Sequence, residues 1–336
     1  MSNIKVTICI PTFNGEKYLR ECLGSAILQT YPRIEIIIVD DNSTDNTIPI
    51  IQEYLRKDSR IKLFINEKNL GLVANWNRCI EHVNGEWIKY LFQDDLLHPQ
   101  CIERMVSATN NNCKLIVCDR EFIFENDASK EIRSEYNIKI NTLRKLFKID
   151  EPTLISAKRI IKVVSNSTNT NFIGEPTVVM FRKELFNVIG GFNLLLVQIC
   201  DLEYWLRIST NYGLFYIPET LVSFRVHGQS MTASNRHARM DLVDKLVLCY
   251  DLLYSDIYNN FRQHLSKGKL NKIREMFKLR IYETQLFLKK NPDNSELFKQ
   301  YEKIQEAIPI ILKYKVPLLT TKLIYAFVKI RRKIRN

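Results

Sequence analysis

The stretch VTICIPTFNGEKYLRECLGSAILQTYPRIEIIIVDD (6–41) decides the fold. Two short apolar runs, VTICI (6–10) and EIIIVD (35–40), are rich in β-branched residues. Uninterrupted runs of this kind suit strands of a parallel sheet covered on both faces. Between them Tyr18, Leu19, Cys22, Leu23, Ala26 and Ile27 recur at helical spacing. Working outward, the pattern predicts a helix at 46–57, a strand at 61–65, a helix at 72–83 and a strand at 86–92. Alternation of this order argues for an open, doubly wound α/β sheet. KLIVCD (114–119) reads as a further strand, whereas 120–170 reads as a strand-poor, partly irregular insertion. IGEPTVVMF (173–181) gives a turn and a strand, and DLEYWLRIST (201–210) a helix with Asp201 at its start. LFYIPETLVSFRVHG (214–228) reads as two short strands. From Ser234 the pattern is helical, broken at Pro292 and Pro317. The expected division is a first domain over 1–232 and a helical extension over 233–336.

With 336 residues and 46% apolar content, the chain can build a sizeable core. The eight cysteines include no C-x-x-C pair and no zinc-like spacing with histidine, and several lie in apolar runs. That usage predicts free thiols in a reducing, cytoplasmic setting. A few polar residues lead straight into IKVTICI, so no leader peptide is expected, and no apolar run of about 18 residues predicts a spanning helix. The net charge of +12 is local, because 311–336 carries eight Lys/Arg and no acid. Removing those eight leaves about +4, so a nucleic-acid surface is not expected.

Open parallel sheets bind ligands outside the carboxyl ends of their strands. Three strand ends here carry polar turns: PTFNG (11–15), DDNSTD (40–45) and QDD (93–95). An acid in DDNSTD can simply cap the next helix, a role open to Thr44 or Asp45. Asp41 exceeds that need, and a strand-end carboxylate can also accept from a nucleobase or a ribose. Asp94 and Asp95 read alone are an ordinary turn before Pro99. Held together at a sheet edge, two carboxylates call for a counter-charge such as Mg²⁺ or Mn²⁺, which binds one or two carboxylates plus substrate phosphates. Asp201 is either an acid favoured by a helix dipole or a general base. His227 is either a satisfied histidine or a metal ligand, and Trp76 reads as core.

In combination these pieces resemble the family 2 glycosyltransferases. The matching segments occur in the family's order: 6–31, EIIIVDDNSTDNT, NLGLVANWNRCI, GEWIKYLFQDDLLHP, GEPTVVMFRKELFNVIGGF, DLEYWLRI and FRVHGQSMT, covering roughly 4–232. The resemblance implies the GT-A fold, a Rossmann-like α/β arrangement with a mostly parallel central sheet and flanking helices, followed here by the C-terminal helical extension. It implies that Pro11, Thr12 and Asn14 line a nucleotide pocket, that Asp41 contacts the base, and that Asp94 contacts ribose or donor sugar. It implies metal ligation by Asp95, with His227 helping, and Asp201 as the base of an inverting transfer. Many relatives have Ala-Arg-Asn where this chain has Asn75-Trp76-Asn77, and Glu-Asp where it has Cys200-Asp201. The Q-x-x-R-W motif of processive synthases is absent, which implies transfer of one sugar at a time.

The expected activity is therefore metal-dependent (Mn²⁺ or Mg²⁺) transfer of one sugar from a nucleoside-diphosphate sugar, UDP-linked before others, to a glycan or lipid-linked acceptor of bacterial surface polysaccharide synthesis. Competing readings are a nucleotidyltransferase of sugar phosphates and a membrane-attached scaffold with a degenerate site. The former needs a glycine-rich basic loop that PTFNGEKY does not supply. The C-terminal stretch 317–336 carries an apolar stripe (Leu319, Leu323, Phe327, Ile330, Ile334) beside Lys322, Lys329 and Lys333. Such a helix suits an anionic membrane surface, hence a peripheral position at the inner face, or else packing on its own domain.

Overall fold

The computed structural model describes residues 4–109, 113–139, 142–166 and 171–314; the stretch 317–336 lies outside them. Nine strands form one sheet: β1 (Val6–Thr12), β2 (Ile34–Asp40), β3 (Ile61–Ile65), β4 (Trp87–Tyr90), β5 (Leu96–Leu97), β6 (Leu115–Phe124), β7 (Thr153–Ile155), β8 (Val179–Arg182) and β9 (Leu214–Val226). Their spatial order is β3-β2-β1-β4-β8-β6-β9-β5, with β7 also on β9. The first four are mutually parallel, as the alternating N-terminal pattern predicts. β8 then inserts antiparallel to both β4 and β6, while β6 and β9 are parallel. Every residue of β1, β2 and β4 is buried, which is why these strands read as unbroken apolar runs.

The helices of the first half are α1 (Leu19–Ile27), α2 (Thr47–Leu55), α3 (Leu72–Glu81) and α4 (Cys101–Ser107). The segment expected to be irregular holds α5 (Lys130–Lys139), α6 (Thr142–Phe147) and α7 (Ala157–Val164) besides β7. α8 (Glu184–Ile189) and α9 (Cys200–Tyr212) follow. Then come α10 (Met231–His237), α11 (Asp241–Tyr254), α12 (Asn259–Gln263), α13 (Lys267–Lys290) and α14 (Ser295–Ala307). Pro292 lies in the turn between α13 and α14, where Asn294 caps α14 by accepting from the Leu297 N–H at 3.1 Å.

The two short strands expected over 214–228 are one strand, β9. The residues PET (218–220) interrupt its apolar pattern, but the chain absorbs them as a bulge: the pairing to β6 slips at Cys118, Asp119 and Arg120 and then resumes to Phe124–Val226. The boundary expected after 232 falls inside α10. One continuous hydrophobic cluster runs from Val6 to Ile311, so α11, α13 and α14 add to the core of the sheet. Trp76 is core as expected, packed against Tyr90, Phe92 and Phe192.

Candidate active site

The carboxyl ends of β1, β2 and β4 lie side by side, with β1 in the middle. At the end of β2 the two adjacent acids turn in different directions. Asp40 accepts from Thr12 Oγ1 at 2.7 Å and from the N–H and hydroxyl of Ser43, each at 2.7 Å, which shapes the 40–45 turn. Asp41 accepts from Asn66 Nδ2 at 2.8 Å and from the backbone N–H groups of Leu70 and Gly71 at 2.8 and 2.9 Å. Gly71 presents that N–H with φ +88, a left-handed backbone suited to glycine. Asn75 ties the two strand ends together by donating to Val39 O at 3.0 Å and to Thr12 O at 3.4 Å.

Pro11 and Thr12 are buried at the last two positions of β1, and the Thr12 hydroxyl is committed to Asp40. The exposed surface of this loop belongs instead to Phe13, 42% exposed, and to Asn14. The loop is tied to the 40–47 turn at several points. Asn14 N donates to Ser43 Oγ, Thr44 N to Asn14 Oδ1, Gly15 N to Thr47 Oγ1 and Glu16 N to Asp45. Asp45 also accepts from the Thr47 N–H at 3.0 Å, closing a turn ahead of α2; the N-cap is Asn46 and has no side-chain cap bond, so the cap expected of Thr44 or Asp45 is not formed.

Gln93 joins the same loop to the end of β4, exchanging two hydrogen bonds with the backbone of Phe13. Immediately after it the paired acids separate. Asp95 is wholly buried; it accepts from Thr177 Oγ1 at 2.5 Å and from the Arg225 N–H at 3.0 Å. Burial first, and the charge of Asp94 second, push its carboxyl well above the ordinary range. Asp94 keeps 24% of its side chain exposed and meets His227 Nε2 at 3.0 Å. His227 Nδ1 is buried without a protein partner. The expected metal pair, Asp95 and His227, is thus not the pair in contact: Asp94 stands beside His227, and Asp95 supports the turn from inside. Among the described residues no three His, Cys, Asp or Glu side chains form a metal cluster. A carboxylate and an imidazole alone still suit a divalent ion that takes its other ligands from phosphate and water.

Arg225 locks this turn. Its Nε donates to Asp94 O at 3.0 Å, its two terminal nitrogens pair with Glu125 and Glu21, and its guanidinium lies over the Tyr18 ring. Nothing in the FRVHG pattern assigned this role; Arg225 is the second-last residue of β9, and His227 follows directly after the strand's end.

Asp201 opens α9 and is partly buried. It accepts from Asn171 Nδ2 at 3.1 Å and from the Leu202 N–H at 2.7 Å. Burial, reinforced by the charge of Glu175, pushes its carboxyl up to about 7. Asn171 also accepts from the N–H groups of Ile173 and Gly174, closing a turn that presents Glu175 to Arg120 at 2.5 Å. Gly174, at φ +124, has no room for a side chain: a Cβ would lie 3.0 Å from the Arg120 guanidinium and 2.7 Å from Val178. Two residues beyond Glu175, Thr177 holds Asp95. The 171–177 turn therefore joins Asp201 to the end of β4. Glu175 and Thr177 were legible only as members of the GEPTVVMF segment, and Asn171 lies outside every segment the sequence singled out.

The model of the family described as Glycosyl transferase family 2 matches residues 7–189. The chain belongs to glycosyl transferase family 2. A putative glycosyltransferase EpsH of Bacillus subtilis is 36% identical to this transferase over 135 residues, 40% of this chain and 39% of that protein. An uncharacterized glycosyltransferase of Rickettsia prowazekii, RP339, is 25% identical over 85% of this chain and 80% of its own length. The fold matches that of Staphylococcus aureus TarS 1–349, solved with UDP-GlcNAc, at a TM-score of 0.57 and 17% identity, over 83% of this chain and 73% of that one. It also matches a mannosyltransferase of Pyrobaculum calidifontis solved with GDP-Man and Mn²⁺, at 0.53 and 15% identity over 90% and 87%. The architecture is that of the GT-A transferases, and the enzyme is a glycosyltransferase.

Proposed function

We propose that this enzyme moves one sugar from a nucleoside-diphosphate sugar, UDP-linked before others, to an acceptor hydroxyl with inversion at the anomeric carbon. The observation that carries the reading is Asp201, a carboxylate raised to about 7 and hydrogen-bonded to Asn171 of the turn whose Thr177 holds Asp95. Binding of UDP-GlcNAc and GDP-Man by proteins of the same fold supports the donor class.

In this reading the exposed Phe13 and Asn14 line the nucleotide with Asp41 behind them. The buried ends of β1 at Pro11 and Thr12 set the loop's position. Asp94 and His227 would hold Mn²⁺ or Mg²⁺, with Asp95 and Arg225 fixing Asp94 in place. The cation, when bound, neutralises the charge that grows on the departing diphosphate. Asp201 takes the proton from the acceptor hydroxyl as that oxygen attacks the face opposite the leaving group. A positioned base contributes about 10²–10⁴-fold, and alignment of the two substrates lowers the barrier further. The absence of a Q-x-x-R-W motif supports single transfer, and a lipid-linked acceptor of surface polysaccharide synthesis suits the basic, apolar-striped 317–336 segment.

The test is nucleoside-diphosphate release from a panel of sugar nucleotides with Mn²⁺, by wild type and Asp201→Asn. Wild type should release diphosphate from one donor. The variant should lose about 10²–10⁴-fold in turnover while its donor affinity stays within about twofold. An unchanged turnover would remove Asp201 from the reaction, and release from no donor would overturn the proposal.

A further inference from the structure

A groove of about 790 Å³ opens between α5 and α6, lined by Lys130, Arg133, Ser134, Asn137, Ile138 and Lys145. Its described lining combines two lysines and an arginine with the hydroxyl of Ser134 and the amide of Asn137, and none of those six residues is a carboxylate. Along α5 the residues 130, 133, 134, 137 and 138 fall within one broad face, and Glu131, three residues before Ser134 and seven before Ile138, lies at its edge. Lys130 and Lys145 are exposed, and among the described residues neither is paired with an acid. Arg133 is held rigidly, its Nε donating to Ala128 O at 3.0 Å and Nη2 to Glu125 O at 2.7 Å, with its guanidinium over Phe124. Fixed and free cations converging on one hollow, with hydroxyl and amide donors between them, form a receptor for phosphate oxygens.

Two contacts tie the entry of α5 to the turn that carries Asp94 and His227. Glu125, whose carbonyl anchors Arg133, accepts through its side chain from Arg225, the residue that fixes the Asp94 turn. Asp127, at the entry to α5, accepts from the N–H of Gly228, next to His227. Apolar surface borders the cations: Ile138 is 74% exposed in the lining, and Leu146, next to Lys145, is 44% exposed. We infer that the α5–α6 groove binds the phosphate of a lipid-linked acceptor, with the first part of its aliphatic chain on Ile138 and Leu146, so that the acceptor's sugar hydroxyl reaches towards Asp201. The inference rests on the transferase reading above and names its acceptor class. The lipid source is favoured over a free anion because Ile138 lies 74% exposed among the cations of the lining.

The test titrates the full chain, with Mn²⁺ and saturating UDP blocking the donor site, with farnesyl diphosphate, inorganic diphosphate and farnesol. Farnesyl diphosphate should bind at least tenfold more tightly than either fragment. The Lys130→Glu/Lys145→Glu pair should weaken that binding at least tenfold, while UDP affinity, melting temperature and a Lys299→Glu control stay unchanged. Equal binding of inorganic diphosphate, full binding by the double variant, or displacement of farnesyl diphosphate by UDP would each overturn the groove assignment. If UDP itself fails to bind, the donor reading falls, whereas the difference between wild type and the double variant, measured without UDP, still decides the groove.

Discussion

At Asp201 burial and the charge of Glu175 act in the same direction, and the Leu202 N–H only partly opposes them. A base raised to about 7 is half ionised near neutrality, so kcat/KM should rise with pH through an inflection near 7. A Glu175→Gln variant, read on the same pH profile, should move that inflection downward because a repelling charge is gone. The shift has a stability consequence of definite sign. The folded carboxyl binds its proton more tightly than the unfolded one, whose pKa is about 3.9. Its stabilising contribution is present below that value and is lost as pH rises to about 7. Thermal melts should therefore place Asp201→Asn above wild type at pH 8, with the gap closing towards pH 4. Asp41 carries the opposite burden. Its carboxylate holds three N–H groups inside the protein, and Asp41→Ala should cost about 1–3 kcal/mol in a urea titration by stranding them. Asp41, Asp94 and Asp95 stand out in the sequence as strand-end acids of an α/β pattern, and Asp201 as the acid at the start of the DLEYWLRIST helix. The resemblance gave the metal to Asp95 and the ribose or donor sugar to Asp94, a division that the residues alone do not make. Adjacent strand-end residues face opposite ways, and only the contacts of Thr177, Arg225 and His227 show which one turns inward.

Among the elements, legibility followed the period of the hydrophobic pattern. β1, β2, α1 and α3 were readable because burial on both strand faces and one-sided burial of helices leave clear signatures. β5 is only two residues long, and α5 is largely polar, so neither leaves such a signature. The joined strand β9 was misread because Pro218, Glu219 and Thr220 have turn composition, yet the bulge opposite Asp119 accommodates them. The element contact with the greatest functional leverage is α11 on α9. Buried Asp244 accepts from the N–H groups of Val197, Gln198 and Ile199, the three residues leading into the helix that carries Asp201. Asp244→Ala should strand those donors, lower stability by about 2–4 kcal/mol and reduce turnover by displacing Asp201. Chemical denaturation and steady-state kinetics on the one variant check both effects, and unchanged turnover in folded protein would show that α9 is placed without α11.

For the whole molecule, a parallel sheet gathers the ends of β1, β2 and β4 on one edge, and the 171–177 turn brings α9 to the same edge. The C-terminal helices share the core of the sheet. Their apolar faces complete the cluster that begins at Val6, and Lys269, Asn294 and Gln300 reach Ser165, Ala238 and Leu195 across it. No described helix is long and apolar enough to cross a membrane. The most direct measurement of the central claim is a calorimetric titration of UDP into the full chain with and without Mn²⁺, repeated with Asp94→Asn. The account predicts saturable binding of one UDP per chain that needs the metal and falls at least tenfold in the variant. Binding of no nucleoside diphosphate across a UDP, GDP, ADP and CDP panel, or UDP binding indifferent both to Mn²⁺ and to Asp94, would contradict it.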